Sequence, residues 1–121
     1  MTDKISKHFS RHEFACRCGC GFDTVDYELV DILEKLSEYY HNPGVIINSG
    51  CRCVEHNKHE GGSKNSLHVR SKAADIVVIA IHADSIADYL EAEYPDKYGI
   101  GRYNGRTHID VRAKRARWDK R

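Results

Sequence analysis

Apolar residues at Val25, Leu29, Ile32, Leu33, Leu36 and Tyr40 recur at three- and four-residue intervals, the period of a helix with one buried face. Asp23 or Thr24 is placed to cap that helix, and Asn42-Pro43-Gly44 stops it. Val45-Ile46-Ile47-Asn48-Ser49 then reads as a short buried strand, and a loop or short helix follows from Gly50 through Glu55–His59 to Gly61-Gly62. Ala73 to Ile81, rich in β-branched residues, predicts a central strand. Ala83 to Glu93 has helical spacing in Ile86, Ala87 and Leu90 and ends before Pro95. Gly99 to Tyr103 and Thr107 to Arg112 look like two strands joined by Asn104-Gly105, a strong hairpin signal. The order helix, strand, strand, helix, hairpin predicts an α+β fold with a small antiparallel sheet and flanking helices.

At 121 residues and 40% hydrophobic, the chain suits a single domain, expected over 1–121, with no internal repeat or linker. A formal charge of +1 gives no overall field that would draw nucleic acid or a membrane. Positive charge gathers instead after about residue 113, where Lys114, Arg115, Arg117, Lys120 and Arg121 surround Trp118. This reads as a basic tail, either simply solvated or attracted to an anionic polymer or surface. It lacks the aromatic interleaving of a nucleic-acid binder. No stretch approaches the roughly 20 apolar residues of a membrane span, and no apolar segment follows the first charged residues. The expectation is a monomer made in the cytoplasm without a signal peptide and without stable membrane insertion.

The five cysteines cluster as Cys16, Cys18, Cys20 and as Cys51, Cys53. Three readings stay open: a second, structural metal site, a disulfide between the clusters formed after export, or reduced and partly buried thiols.

The chemistry concentrates in two segments. Ser66-Leu-His-Val-Arg-Ser-Lys-Ala-Ala-Asp75 supplies His68 and Asp75, and Thr107-His-Ile-Asp-Val-Arg112 supplies His108. Two imidazoles and one carboxylate are a donor set for a catalytic zinc with a fourth position left open, and zinc lowers the pKa of water held there. His108 and Asp110 lie two apart on a predicted strand and so share a face. Asp110 is therefore either the general base or the carboxylate that orients His108. His56 and His59, on the loop leading to the motif, are weaker candidates for the base.

These segments resemble the zinc signature of the M15 peptidases, the D-Ala-D-Ala carboxypeptidase-like group whose wider set includes lysostaphin and the hedgehog signalling domain. His68-x-x-Ser71-x-Ala73-x-Asp75 matches its His-x-x-Gly-x-Ala-x-Asp pattern, Asn48-Ser-Gly-Cys-Arg52 its Ser-Gly-x-Arg segment, and His108-x-Asp110-x-Arg112 its closing strand. The similarity runs from about His8 to Trp118. It implies a hedgehog/DD-peptidase-like fold with one catalytic Zn²⁺ on His68, Asp75 and His108. It also implies that Arg52 and Ser66 bind substrate and that Arg52 stabilises the oxyanion.

The short members without signal peptides resemble phage-type endolysins released through a holin. The implied function is cleavage of a bond in the peptidoglycan stem peptide, of the L-Ala-D-Glu type, in the periplasm or cell wall. D-Ala-D-Ala carboxypeptidase or cross-link endopeptidase activity is the nearest alternative, and a non-catalytic zinc-containing wall-binding module is the alternative of another class. The chain departs from the pattern twice: Ser71 replaces a glycine, and Gly105 occupies the place three residues before the last histidine where many members carry the base.

Overall fold

The computed structural model describes residues 3–63 and 65–121. After a 3₁₀ turn at Arg11–Phe14 come α1 (Tyr27–Tyr39), β1 (Val45–Ser49), α2 (Val54–His59), β2 (Ala73–Val78), α3 (Ala83–Glu93), β3 (Gly99–Tyr103), β4 (Arg106–Asp110) and β5 (Ala116–Asp119). The fold is α+β, as the pattern of elements predicts, but its five-stranded sheet is mixed. In the order β1-β2-β4-β3-β5, every pairing is antiparallel except that of β3 with β5.

The predicted helix is α1, and it begins later than expected. Asp26 caps it by accepting from the Glu28 amide at 2.8 Å, because Thr24 is engaged elsewhere, with its hydroxyl on that of Ser71. Leu29, Val30, Ile32, Leu33 and Leu36 put one face of α1 into the core. There they meet Ile86 and Leu90 of α3 and the sheet residues Ala74, Ile76, Val78, Ile100 and Ile109. Each of the larger side chains here, fully buried, contributes about 1.5–3 kcal/mol. Strand alternation then decides the other face: with Ala74 and Ile76 turned to the helices, Asp75 points away from them, as His108 and Asp110 do beside Ile109.

Two strands are shorter than their apolar runs suggest. β2 stops at Val78 because the chain turns there: Ala80 adopts a left-handed φ of 68°, and the Ile81 amide donates to the Val78 carbonyl at 3.1 Å. β4 ends at Asp110, although the Val111 amide still finds the Lys72 carbonyl at 3.0 Å.

The segment expected as a basic tail contains β5. Its charges are placed by the fold: Arg117 donates to the Tyr94 and Tyr98 carbonyls at 2.7 Å each, at the end of α3, and Arg121 pairs with Asp84 and Asp119. Trp118, the next residue along β5, faces the opposite side of the sheet from Arg117.

The N-terminal segment is fastened by Phe9 and Phe14, which are buried in the core, and by Glu34 of α1. The Glu34 carboxylate accepts from the Ser6 hydroxyl and from the His8 amide at 2.7 Å, and meets His8 Nδ1 at 2.5 Å. Partial burial disfavours its charge, but the Ser6 and His8 bonds outweigh that and hold the carboxyl below its usual range. A carboxylate with a depressed pKa in the folded state stabilises the fold above its unfolded pKa of about 4.3, and that contribution disappears as pH falls through the lower folded value. Glu34→Gln is therefore expected to cost about 1–2 kcal/mol at neutral pH, with the gap to wild type closing below about pH 4. Denaturant unfolding over a pH series measures this, and a gap that stays constant in acid would refute the ionic origin.

Candidate active site

Register assembles the site. Asp75 of β2 stands opposite His108 of β4, and His108 opposite Gly101 of β3, which in turn faces Trp118 of β5. On the other side Asp75 pairs with Ser49 of β1. One row across the sheet thus runs Ser49, Asp75, His108, Gly101, Trp118. His68 reaches the row from the turn before β2, where its backbone amide donates to the Ser66 hydroxyl at 3.2 Å.

His68, Asp75 and His108, all buried, bring one donor atom each to within 4.8 Å of the others. His68 Nε2 lies 3.5 Å from Asp75 Oδ2, and His108 Nδ1 lies 3.0 Å from Asp75 Oδ1. The far nitrogen of each ring is already committed: His68 Nδ1 donates to the Gly50 carbonyl at 2.7 Å and His108 Nε2 to Asp110 Oδ2 at 2.8 Å. Both near nitrogens face the Asp75 carboxylate, an arrangement that calls for a positive charge between them, carried by a proton or by a metal ion.

The protonation tendencies agree with this. Burial is the strongest influence on Asp75 and opposes its charge, yet the facing imidazoles of His108 and His68 outweigh it and hold the carboxyl far below its ordinary range. Burial likewise opposes a proton on His108, but Asp110 and Asp75 prevail and raise its pKa. The donor types, their convergence and their fixed tautomers fit a single divalent ion such as zinc.

Asp110 does not face the converging donors. It is fully buried on the far side of the His108 ring. Its oxygens accept from His108, from Arg112 Nε and Nη2 at 2.8 Å each, and from the Gly99 amide at 3.1 Å. Burial pushes its pKa up, but the bonds from His108 and Arg112 outweigh this and keep it ionised far below the usual range. A carboxylate so occupied has little acceptor capacity left for a proton arriving in the cleft. Of the two α2 histidines, His59 sits away from that cleft, whereas His56 lines an adjoining pocket together with Arg52 and Asp75.

The cleft in front of the donors has a volume of about 590 Å³. Arg52, expected as a substrate residue, lines it and is held by three partners: Ser49 Oγ at 3.1 Å, Asn57 Oδ1 at 3.3 Å and Asp75 Oδ2 at 3.4 Å. Ser66 also lines the cleft, with its hydroxyl accepting from the His68 amide. Arg106 and Lys120 add positive charge to the wall, the Arg112 guanidinium there is spent on Asp110, and Glu60 is the wall's carboxylate besides Asp75 among the described residues.

Sequence reasoning missed Trp118, which it placed in a tail. The indole packs on the His108 ring with centroids 4.9 Å apart, and its Nε1 donates to the Tyr103 hydroxyl at 2.9 Å. Gly101 makes this possible: a Cβ there would lie 2.3 Å from the indole nitrogen. Gly99 does the same for Asp110, whose Oδ2 would stand 2.3 Å from an added Cβ. Two glycines alternating in one strand were the available signal. Ser71, in place of the motif glycine, adopts φ 61°, a left-handed conformation that costs a non-glycine residue about 1 kcal/mol. Its hydroxyl contact with Thr24 and its carbonyl bond from the Asp26 amide at 3.0 Å hold it there.

Two imidazoles and one carboxylate converging at the floor of a cationic cleft make a candidate site for a single metal ion. The chain belongs to the M15 peptidase family: the family model described as Peptidase M15 matches residues 7–110. A comparison with curated proteins finds no match. The cleft extends beyond the matched span, since Arg112, Trp118 and Lys120 contribute to its wall. No helix among the described residues is long and apolar enough to cross a membrane.

If Asp110 orients His108, Asp110→Ala should lower zinc affinity by about 10–100-fold. Gly99→Ala should produce a similar loss by forcing the carboxylate aside. Competition titration against a chromophoric chelator reads both, and unchanged affinity in the two variants would remove Asp110 from that role.

Proposed function

We propose that the protein is a zinc-dependent peptidoglycan hydrolase that cuts a peptide bond of the stem peptide, of the L-Ala-D-Glu endopeptidase type, and acts as an endolysin. Family membership supports a peptidase, and the convergent set His68, Asp75 and His108 supports a metal-dependent one. Zinc bound there would supply Lewis acidity and a water of lowered pKa. The chain's own residues do the rest: Asp110 fixes the His108 tautomer, and Arg52 offers a guanidinium where negative charge develops on the scissile carbonyl.

The observation that carries the reading is the placement of Arg52 and its cationic neighbours. Arg52 is braced by Ser49, Asn57 and the ligand Asp75 itself, so its charge is preorganised beside the reacting centre. Arg106 and Lys120 extend the positive wall, which suits a stem peptide bearing free carboxylates. The same wall would also receive a terminal carboxylate, which favours D-Ala-D-Ala carboxypeptidase action as the second reading.

Zinc-loaded protein incubated with purified sacculi and defined muropeptides, with product masses determined, tests the proposal. The expected result is a chelator-sensitive cut between L-Ala and D-Glu. Release of terminal D-Ala alone would establish the carboxypeptidase reading instead, and metal-loaded protein that binds sacculi without cutting would establish a binding module. Arg52→Ala should reduce kcat by about 10²–10³-fold while zinc stays bound. Turnover within a few-fold of wild type would exclude Arg52 from oxyanion stabilisation.

A further inference from the structure

Arg52 is bracketed by two cysteines that the fold treats differently. Cys51 is buried, and its thiol donates to the carbonyl oxygens of Phe14 and Phe22 at 3.1 Å each. Cys53 instead meets the loop that carries Cys16, Cys18 and Cys20. The four sulfurs of Cys16, Cys18, Cys20 and Cys53 all lie within 4.8 Å of one another. We propose that these four thiols form a second metal site, separate from His68, Asp75 and His108, that holds one structural zinc ion as a tetrathiolate.

Distances support a tetrahedron. Zinc–sulfur bonds of about 2.3 Å set the sulfurs of a tetrahedral site roughly 3.8 Å apart. Cys16 and Cys18 stand 3.4 Å apart and Cys18 and Cys53 3.7 Å. Neither contact is a disulfide, whose sulfurs stand about 2.05 Å apart, and all five cysteines are free thiols. Two backbone amides also point at the cluster: Cys53 N donates to Cys16 Sγ and His56 N to Cys53 Sγ, each at 3.4 Å. Amide donors aimed at sulfur favour the thiolate, the form that binds metal.

The loop is shaped for convergence. Gly19 and Gly21 adopt φ of 81° and 91°, and open space surrounds the place of a Cβ at both. These glycines therefore serve the backbone bend and not a close contact. The bend is closed by Gly19 N donating to the Cys16 carbonyl at 3.2 Å and Cys16 N to the Phe22 carbonyl at 2.7 Å, so three cysteines within five residues come to one point. An all-sulfur donor set selects zinc over magnesium or calcium. The ion would tie this loop to the residue directly after Arg52, and so brace the segment that presents the guanidinium to the cleft.

The test uses the full chain purified under reducing conditions, with metal analysis and cobalt substitution. Wild type is expected to bind two zinc ions, and Cys18→Ser and Cys20→Ser one each. Cys51→Ala should keep both. The cobalt form should show thiolate-to-metal charge-transfer absorption in the near ultraviolet, lost in Cys18→Ser and Cys20→Ser and retained in His68→Ala. That absorption reads the cysteine site whether or not the protein cuts peptidoglycan. One zinc per wild-type chain that Cys18→Ser and Cys20→Ser still bind, cobalt protein without charge transfer, or a mass lower by two or four hydrogens from disulfides within the four cysteines would each overturn the proposal. One zinc that is lost in those variants and kept in His68→Ala would support it and count against the metal at His68, Asp75 and His108.

Discussion

The pairing of Asp75 with His108 across β2 and β4 is held by residues that never touch the cleft. Ala74, Ile76 and Ile109 turn to the helices because their burial against Leu29, Leu33 and Leu90 stabilises the sheet. Sliding either strand by one residue would bury a charged carboxylate or an imidazole in that core and expose the aliphatic face. The apolar layer thus sets donor geometry on the polar layer, and the precision of the site derives from core packing.

Around that pair the sheet supplies support strand by strand. β3 contributes no functional side chain at Gly99 and Gly101, and this emptiness is its contribution: it admits Asp110 behind His108 and lets Trp118 lie on the ring. Arg112 closes the arrangement by gripping both Asp110 oxygens, which compensates the buried charge locally. The guanidinium also lies over the Trp118 ring at 5.3 Å, so the carboxylate, the imidazole and the indole constrain one another.

Much of this is written in local pattern. The period of α1, the Asn104-Gly105 hairpin and the spacing of His68 and Asp75 each lie within one short segment, and local physics suffices to read them. The strand β5 is different. Its residues, Ala116-Arg-Trp-Asp119, alternate apolar and charged over only four positions within a basic stretch, too short a run to mark a strand, and they pair with β3 through a parallel register that only the assembled sheet reveals. Asp110 is similar: two residues on one strand face suggest contact with His108, but only the assembled sheet brings up the opposing Gly99 and the fork of Arg112 that occupy its oxygens. Likewise Cys51 and Cys53 look equivalent in the chain, and their division between core and surface loop follows from the path of residues 14–22.

Trp118 is the only tryptophan in the chain, and it lies against the ring of a candidate ligand. Indole emission responds to the charge and rigidity of what it touches, and here that neighbour is His108. The protein consequently carries an intrinsic optical gauge of its own centre, needing no label and confounded by no second indole. Ion capture, loss of the Asp110 brace and entry of a substrate into the cleft each have a direct route to one spectroscopic signal.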